Sequence, residues 1–220
     1  SAIIMFVAFI IVFSEGMSGK ITGILMGLGG IGVLIAIFTS GYRMKRFISF
    51  INPWKYATDE GYQLVHSLYA IGTGGLFGVG LGNSKQKALY MPEPHNDFIF
   101  AIICEELGLI GAIIIISVFL VLIVAGINVA MRAKDKYGRL LATGIISVIA
   151  VQVVINIAVV TGSMPVTGVP LPFISYGGTS LVFNLAAIGV LLNISSQTKT
   201  HKDEIQEKIE RKRIKSKMNI

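Results

Sequence analysis

Charge is scarce in this chain. Asp, Glu, Lys and Arg make up 14% of its residues against 53% hydrophobic, which excludes an ordinary soluble domain and points to a polytopic membrane protein. Acidic residues are the rarer kind, 12 against 19 basic, so a carboxylate inside an apolar stretch calls for a reason. The single cysteine, Cys104, excludes an internal disulfide, and no combination of cysteine and histidine has zinc-site spacing. No basic stretch precedes the first apolar run, so Ser1–Phe6 does not read as a signal peptide. It reads as the inside of a truncated spanning helix, and the chain as the C-terminal part of a longer protein. The glycines of 72–82 lack the G-x-G-x-x-G spacing and a surrounding strand–turn–helix unit. They read as flexible or tightly packed membrane-loop backbone, not as a dinucleotide site.

What is present is a series of apolar runs. Residues 1–13 are too short to cross a ~30 Å hydrocarbon core, whereas Ile21–Thr39 is a full span whose Gly27, Gly29, Gly30 and Gly32 suit close helix packing. The two are expected to form a hairpin. Residues 40–96 hold six Lys/Arg and three Asp/Glu without an uninterrupted span, and read as one large loop. Within it, Glu60–Ile71 has the spacing of a short amphipathic helix, lying on the interface or packing on the bundle. A long apolar stretch follows from Phe98 to Met131, about 50 Å if helical throughout, then a basic turn with Arg132, Lys134, Lys136 and Arg139. Leu140–Thr161 and about 179–194 are the last spans, joined by a Pro/Gly-rich loop at 162–178. The division is thus a transmembrane domain, 1–196, and a basic tail, 197–220, with eight Lys/Arg against four Asp/Glu. The positive-inside rule places the basic turn and the tail in the cytoplasm, and the two long loops outside.

Asp97 stands at the mouth of the long apolar stretch. At about 100° per residue, Ala101, Cys104, Gly108 and Gly111 fall within about 40° of it, and this small-residue face is expected to look into the protein. Asn96 or Asp97 could equally serve as a helix cap. Glu105 shares a polar flank with Asp97, while Glu106 points the opposite way and needs another partner. Arg43, Lys45, Arg46, Lys55, Lys85 and Lys87 form two basic groups in the same loop. Two readings stand for them, a grip on a phosphate-bearing lipid and attraction to an anionic bilayer surface; nucleic acid is not an expected partner. Glu93 lies between two prolines, His95 is its near neighbour, and Gln152 and Asn156 are placed to bond between helices.

The stretches Gly61-Tyr62-Gln63, Ser67–Gly72, Gly74–Gly78, Gly80-Leu81-Gly82, Gln86-Lys87, Pro92–Ala101, Glu105–Gly108 and Pro165–Ser180 closely resemble the SEDS family (shape, elongation, division, sporulation). Gln86-Lys87 and Pro94-His95-Asn96-Asp97 look more like its division and sporulation branch, FtsW and SpoVE, than its elongation branch, RodA. Ser163 departs from the aliphatic residue expected there. The resemblance implies an all-α fold of ten transmembrane helices, of which this chain supplies about the last five with a large extracytoplasmic loop. It also implies a peptidoglycan glycosyltransferase of the bacterial cytoplasmic membrane, polymerising lipid II on the outer face and releasing undecaprenyl diphosphate during division or sporulation. Asp97 matches the family's catalytic aspartate. Arg43, Arg46, Lys85, Lys87, Glu93 and His95 become candidate substrate-binding residues, and Glu105 and Glu106 structural support. A divalent cation, Mg²⁺ or Mn²⁺, at Asp97 is a competing role for that carboxylate. Implied partners are lipid II, the nascent glycan strand, a class B penicillin-binding transpeptidase and other divisome proteins. A lipid II flippase and a noncatalytic division scaffold remain as alternative readings.

Overall fold

In the computed structural model, which describes residues 2–14, 16, 19–87 and 96–197, the apolar runs become helices, and no strand occurs among the described residues. They are α1 (Ala2–Ser14), α2 (Gly19–Thr39), α3 (Gly41–Ile51), α4 (Tyr62–Gly74), α5 (Ile99–Arg132), α6 (Lys136–Val160) and α7 (Gly178–Gln197), with a 3₁₀ turn at Pro53–Tyr56. Among the described residues α5, α6 and α7 combine the length and apolarity needed to cross a membrane. The 21 residues of α2 reach about 30 Å, while the 13 of α1 fall short, as its sequence suggests.

The centre of the fold is the antiparallel pair α5 and α6. Phe98, Phe100, Ala101, Ile102 and Cys104 pack against Ile149, Val153, Val159 and Val160, with Leu171 from the following loop closing the cluster. Ala101, Cys104, Gly108 and Gly111 are all buried, so the small-residue face does look into the protein. At the other end of the pair, Asp135 caps α6 by accepting from the Gly138 N–H at 2.9 Å, which satisfies one of the free donors of the first turn.

Three expectations need correction. Among the described residues α1 and α2 do not pack as a hairpin: α1 packs along α6 and α2 against α3. The reason is local, because Gly144 of α6 leaves room for Ile11 of α1; a Cβ on that glycine would lie 3.2 Å from the Ile11 side chain. Residues 40–96 are not one loop either. They contain α3, which was not expected, besides α4, the helix expected at Glu60–Ile71; of its two expected placements α4 takes the bundle, packing through buried Leu64, Val65, Ser67, Ala70 and Gly74. The Ser67 hydroxyl donates to the Val160 carbonyl at 2.8 Å, fixing α4 to the end of α6.

The third correction concerns α5, which is not one continuous helix. Gly108 has φ 68°, ψ −166°, a conformation outside the regions open to other residues. A break there strands backbone groups that water cannot reach in a membrane. The glycine-rich segment after α4 satisfies them. Val79 and Gly80 donate to the carbonyls of Glu105 and Glu106, both at 3.0 Å, and Leu109 and Ile110 donate to the carbonyls of Gly75 and Leu76 at 2.9 and 3.3 Å. Gly74 and Gly78 are therefore tightly packed backbone, whereas Gly72, Gly75 and Gly82 have open space beside them. A Cβ on Gly74 would overlap the Cys104 carbonyl, and one on Gly78 the Glu106 carbonyl.

Candidate functional site

The break divides α5 into a short upper piece and a longer lower one, and the upper piece carries the candidate residues. Its N-cap is Phe98, so neither Asn96 nor Asp97 holds the capping position. Asp97 is instead bound through its backbone: its carbonyl accepts from the Asn156 side-chain amide at 2.7 Å, and the same nitrogen donates to the Val169 carbonyl at 2.8 Å. Because both partners are carbonyls, the orientation of the amide follows. The carboxylate lies over the loop after α6, where a Cβ on Gly168 would be 3.3 Å from Asp97 Oδ2. Buried Leu171 holds that loop against the core, and its N–H donates to Ser175 Oγ at 2.7 Å.

The same loop also binds a cation. Arg46 Nη1 of α3 donates to the Val166 carbonyl at 3.0 Å, and its guanidinium stands 4.6 Å from the ring centroid of Tyr42, one turn earlier. The two anchor points on the loop are three residues apart, at most roughly 10 Å of extended chain. Asp97 and Arg46, the sequence's candidate base and one of its candidate phosphate ligands, thus come together on one strip of backbone. Arg43 is exposed on the same helix, and Lys45 pairs with Glu60 at 3.7 Å, a solvated contact of little energetic weight.

Lys85 and Lys87 are held elsewhere, roughly two helical turns below Asp97. Glu105, only 2% exposed, accepts from the Ser84 hydroxyl through Oε2 and from the Lys85 N–H through Oε1 at 3.1 Å, while the Lys87 N–H donates to Ser84 Oγ at 3.0 Å. The buried carboxylate therefore fixes the backbone of 84–87 and leaves both lysine side chains exposed. Gln86 turns the other way, its Oε1 accepting from His66 Nδ1 at 2.7 Å in an aromatic group with Tyr62 and Tyr69. Replacing Glu105 by alanine removes both acceptors. It is expected to cost about 2–3 kcal/mol, read as a lower thermal midpoint in detergent, while Glu105→Gln, which keeps one acceptor oxygen, should lose less.

Glu106 is half-buried, and its Oε1 has no hydrogen-bond partner among the described residues. Gln152 does not bond between helices through its oxygen as expected: Oε1 is buried without a partner. It lines a cavity of about 610 Å³ between α1, α6 and α7 with Val7, Ile11, Phe183 and Asn184, away from Asp97. Glu93, His95 and the basic tail from residue 198 lie outside the described residues. No group of three or more His, Cys, Asp or Glu suited to a metal occurs among the described residues. The donor set at Asp97 is one carboxylate, which suits Mg²⁺ or Mn²⁺ only when substrate phosphates complete the shell.

One contributor escaped sequence reasoning and another was only partly legible. Ser84 has no periodicity and meets Glu105 across 21 residues. Asn156 was visible as a polar residue in an apolar helix, but its targets are a loop and a helix start, and spacing along α6 cannot name them.

A family model described as "Cell cycle protein", covering FtsW, RodA and SpoVE, matches residues 1–200. Stage V sporulation protein E of Bacillus subtilis is 54% identical over 173 residues, covering 78% of this chain and 47% of the relative. A probable peptidoglycan glycosyltransferase FtsW of Geobacter sp. (strain M18) is 47% identical over 193 residues, covering 87% and 52%. The chain thus spans about half the length of the curated relatives it matches. Among solved structures, a peptidoglycan synthase complex described as coordinating polymerization and crosslinking superposes with a TM-score of 0.71 at 27% identity, over 90% of this chain and 55% of that one. A Thermus thermophilus rod shape determining protein RodA superposes with a TM-score of 0.57 at 26% identity, over 90% and 50%. With the motifs, the all-helical fold and the family match in agreement, this multi-pass membrane chain belongs to the SEDS family of FtsW, RodA and SpoVE cell cycle proteins.

Proposed function

We propose that this chain carries the catalytic aspartate of a peptidoglycan glycosyltransferase that polymerises lipid II during cell division or sporulation. The observation that supports it best is the convergence of Asp97 and Arg46 on the loop 166–169, at the end of the α5–α6 pair opposite the basic turn. By the positive-inside rule that end faces outward and the tail inward, in a bacterial cytoplasmic membrane. The name of the FtsW relative supports the same activity; a class B penicillin-binding transpeptidase and other divisome proteins are the proposed partners.

In the reaction, Asp97 accepts the proton of the acceptor sugar hydroxyl as its oxygen attacks the anomeric carbon of the donor. The new glycosidic C–O bond forms as the bond to the diphosphate breaks, and the electron pair leaves with undecaprenyl diphosphate. The negative charge that develops there is met by Arg46, with Arg43, Lys85 and Lys87 on the neighbouring segments. Where a divalent cation takes part, Asp97 is the residue that would hold it jointly with the diphosphate, and it would supply charge neutralisation.

The test is polymerisation of purified lipid II by the full-length protein with its cognate transpeptidase, run beside a lipid II translocation assay. The enzyme reading expects loss of glycan product with translocation unaffected in the Asp97→Asn variant; the reverse outcome would establish a flippase. Arg46→Ala is expected to lower kcat/KM roughly 10- to 100-fold, the equivalent of one hydrogen bond to a charged group at about 1.5–3 kcal/mol. Initial rates over a range of lipid II concentrations would check it.

A further inference from the structure

We infer that Asn156 is a positioning residue for the reaction, a point that holds Asp97 and the loop 166–169 in register. The inference rests on the catalytic reading of Asp97 above.

Asn156 is 1% exposed, one turn before the end of α6. Its Nδ2 reaches two carbonyls that belong to different elements, that of Asp97 at the head of α5 and that of Val169 in the loop. Two carbonyl oxygens repel when brought together without a shared donor. A neutral nitrogen with two N–H groups satisfies both, and among side chains only a carboxamide offers that without a charge. The requirement therefore selects asparagine on chemical grounds.

The other half of the amide argues against a purely stabilising role. Asn156 Oδ1 is buried with no hydrogen-bond partner among the described residues, and an unsatisfied buried acceptor costs stability that an apolar residue of the same volume would not. What the site gains is geometric. The Asp97 carbonyl is fixed at 2.7 Å, its carboxylate lies over Gly168, and Val166, three residues before Val169, receives Arg46. Releasing the amide would let the carboxylate and the cation-bearing strip move independently. Misplacement of a reacting group by about 1 Å can cost on the order of 100-fold in rate.

The test compares Asn156→Leu, which has the same branched heavy-atom skeleton without donors, and Asn156→Ser, which keeps one donor, in the full-length protein with its transpeptidase. For Asn156→Leu, kcat for lipid II polymerisation is expected to fall roughly 10- to 100-fold with KM within about twofold of wild type. Amide exchange of the peptides covering 96–104 and 164–172 should quicken, and that of the lower part of α5 should not. Asn156→Ser should fall between, and it carries the test if the leucine variant does not assemble. Unchanged kcat, a loss confined to KM, or unchanged exchange in the two peptides would each overturn the positioning role. Asp97→Asn, run beside them, separates the two ideas: if that variant keeps wild-type activity, the catalytic reading itself fails, whatever Asn156 does.

Discussion

Replacing Asp97 by asparagine is expected to lower glycan polymerisation by roughly 10²- to 10⁴-fold, the range that a positioned general base contributes. The substitution keeps volume and most hydrogen-bonding geometry. It leaves the backbone carbonyl free to accept from Asn156 as before, so the loop 166–169 should stay where it is. What disappears is a group able to hold the hydroxyl proton. Folding and partner binding are therefore expected to survive, seen as an unchanged elution profile and thermal midpoint. Asp97→Glu tests position separately from chemistry. It retains the carboxylate but moves it about one methylene toward the Gly168 backbone, where the Asp97 oxygen already leaves only 3.3 Å for a side-chain carbon. A loss close to that of asparagine is expected, because misplacing a reacting group by about 1 Å can cost on the order of 100-fold. Undiminished glycan product from Asp97→Asn would sink the assignment of Asp97 as the base.

Much of the membrane plan was legible from the sequence, because hydropathy is a sum over many residues and tolerates local error. The spans became α2, α5, α6 and α7 within a few residues, and the small-residue face of upper α5 is buried as its spacing implied. What could not be read is what depends on contacts between distant segments. Helical geometry carried from Asp97 to Gly111 assumes one continuous helix, yet Gly108 ends it, and only the backbone of 75–80 makes that break tolerable. In the same way Glu105 shows in the sequence only as a carboxylate among apolar residues, and its meaning comes from Ser84 and the Lys85 N–H. Asp97 reads as a helix cap or an interior carboxylate by local pattern; the contact that fixes its backbone is made by a residue 59 positions later. The resemblance to SEDS motifs named candidate site residues that spacing left open, and it did so without showing how those residues are held.

Gly108→Ala is the second large effect expected, and it tests the support beneath the site. Alanine at φ 68°, ψ −166° is strained by about 1–3 kcal/mol, and its Cβ would overlap the Gly78 backbone nitrogen and press on the Leu76 carbonyl. Neither is a flexible side-chain end that can yield cheaply. If the segment 75–80 moves away to make room, the N–H groups of Leu109 and Ile110 and the carbonyls of Glu105 and Glu106 lose their partners, each at about 1–3 kcal/mol in a buried setting. Together these make a loss of about 4 kcal/mol or more, a large share of the ~5–15 kcal/mol that holds a typical domain. The variant should show a sharply reduced yield of monodisperse protein and a much lower thermal midpoint. Gly72→Ala is the control, since a Cβ there meets nothing within 4 Å and the helical setting favours alanine; its effect should stay within about 0.5 kcal/mol. The two substitutions add the same methyl group to two helices in contact, α4 and α5. Equal thermal midpoints for both would mean that the break at Gly108 does not depend on the glycine-rich segment, and that Lys85 and Lys87 are placed by Glu105 alone.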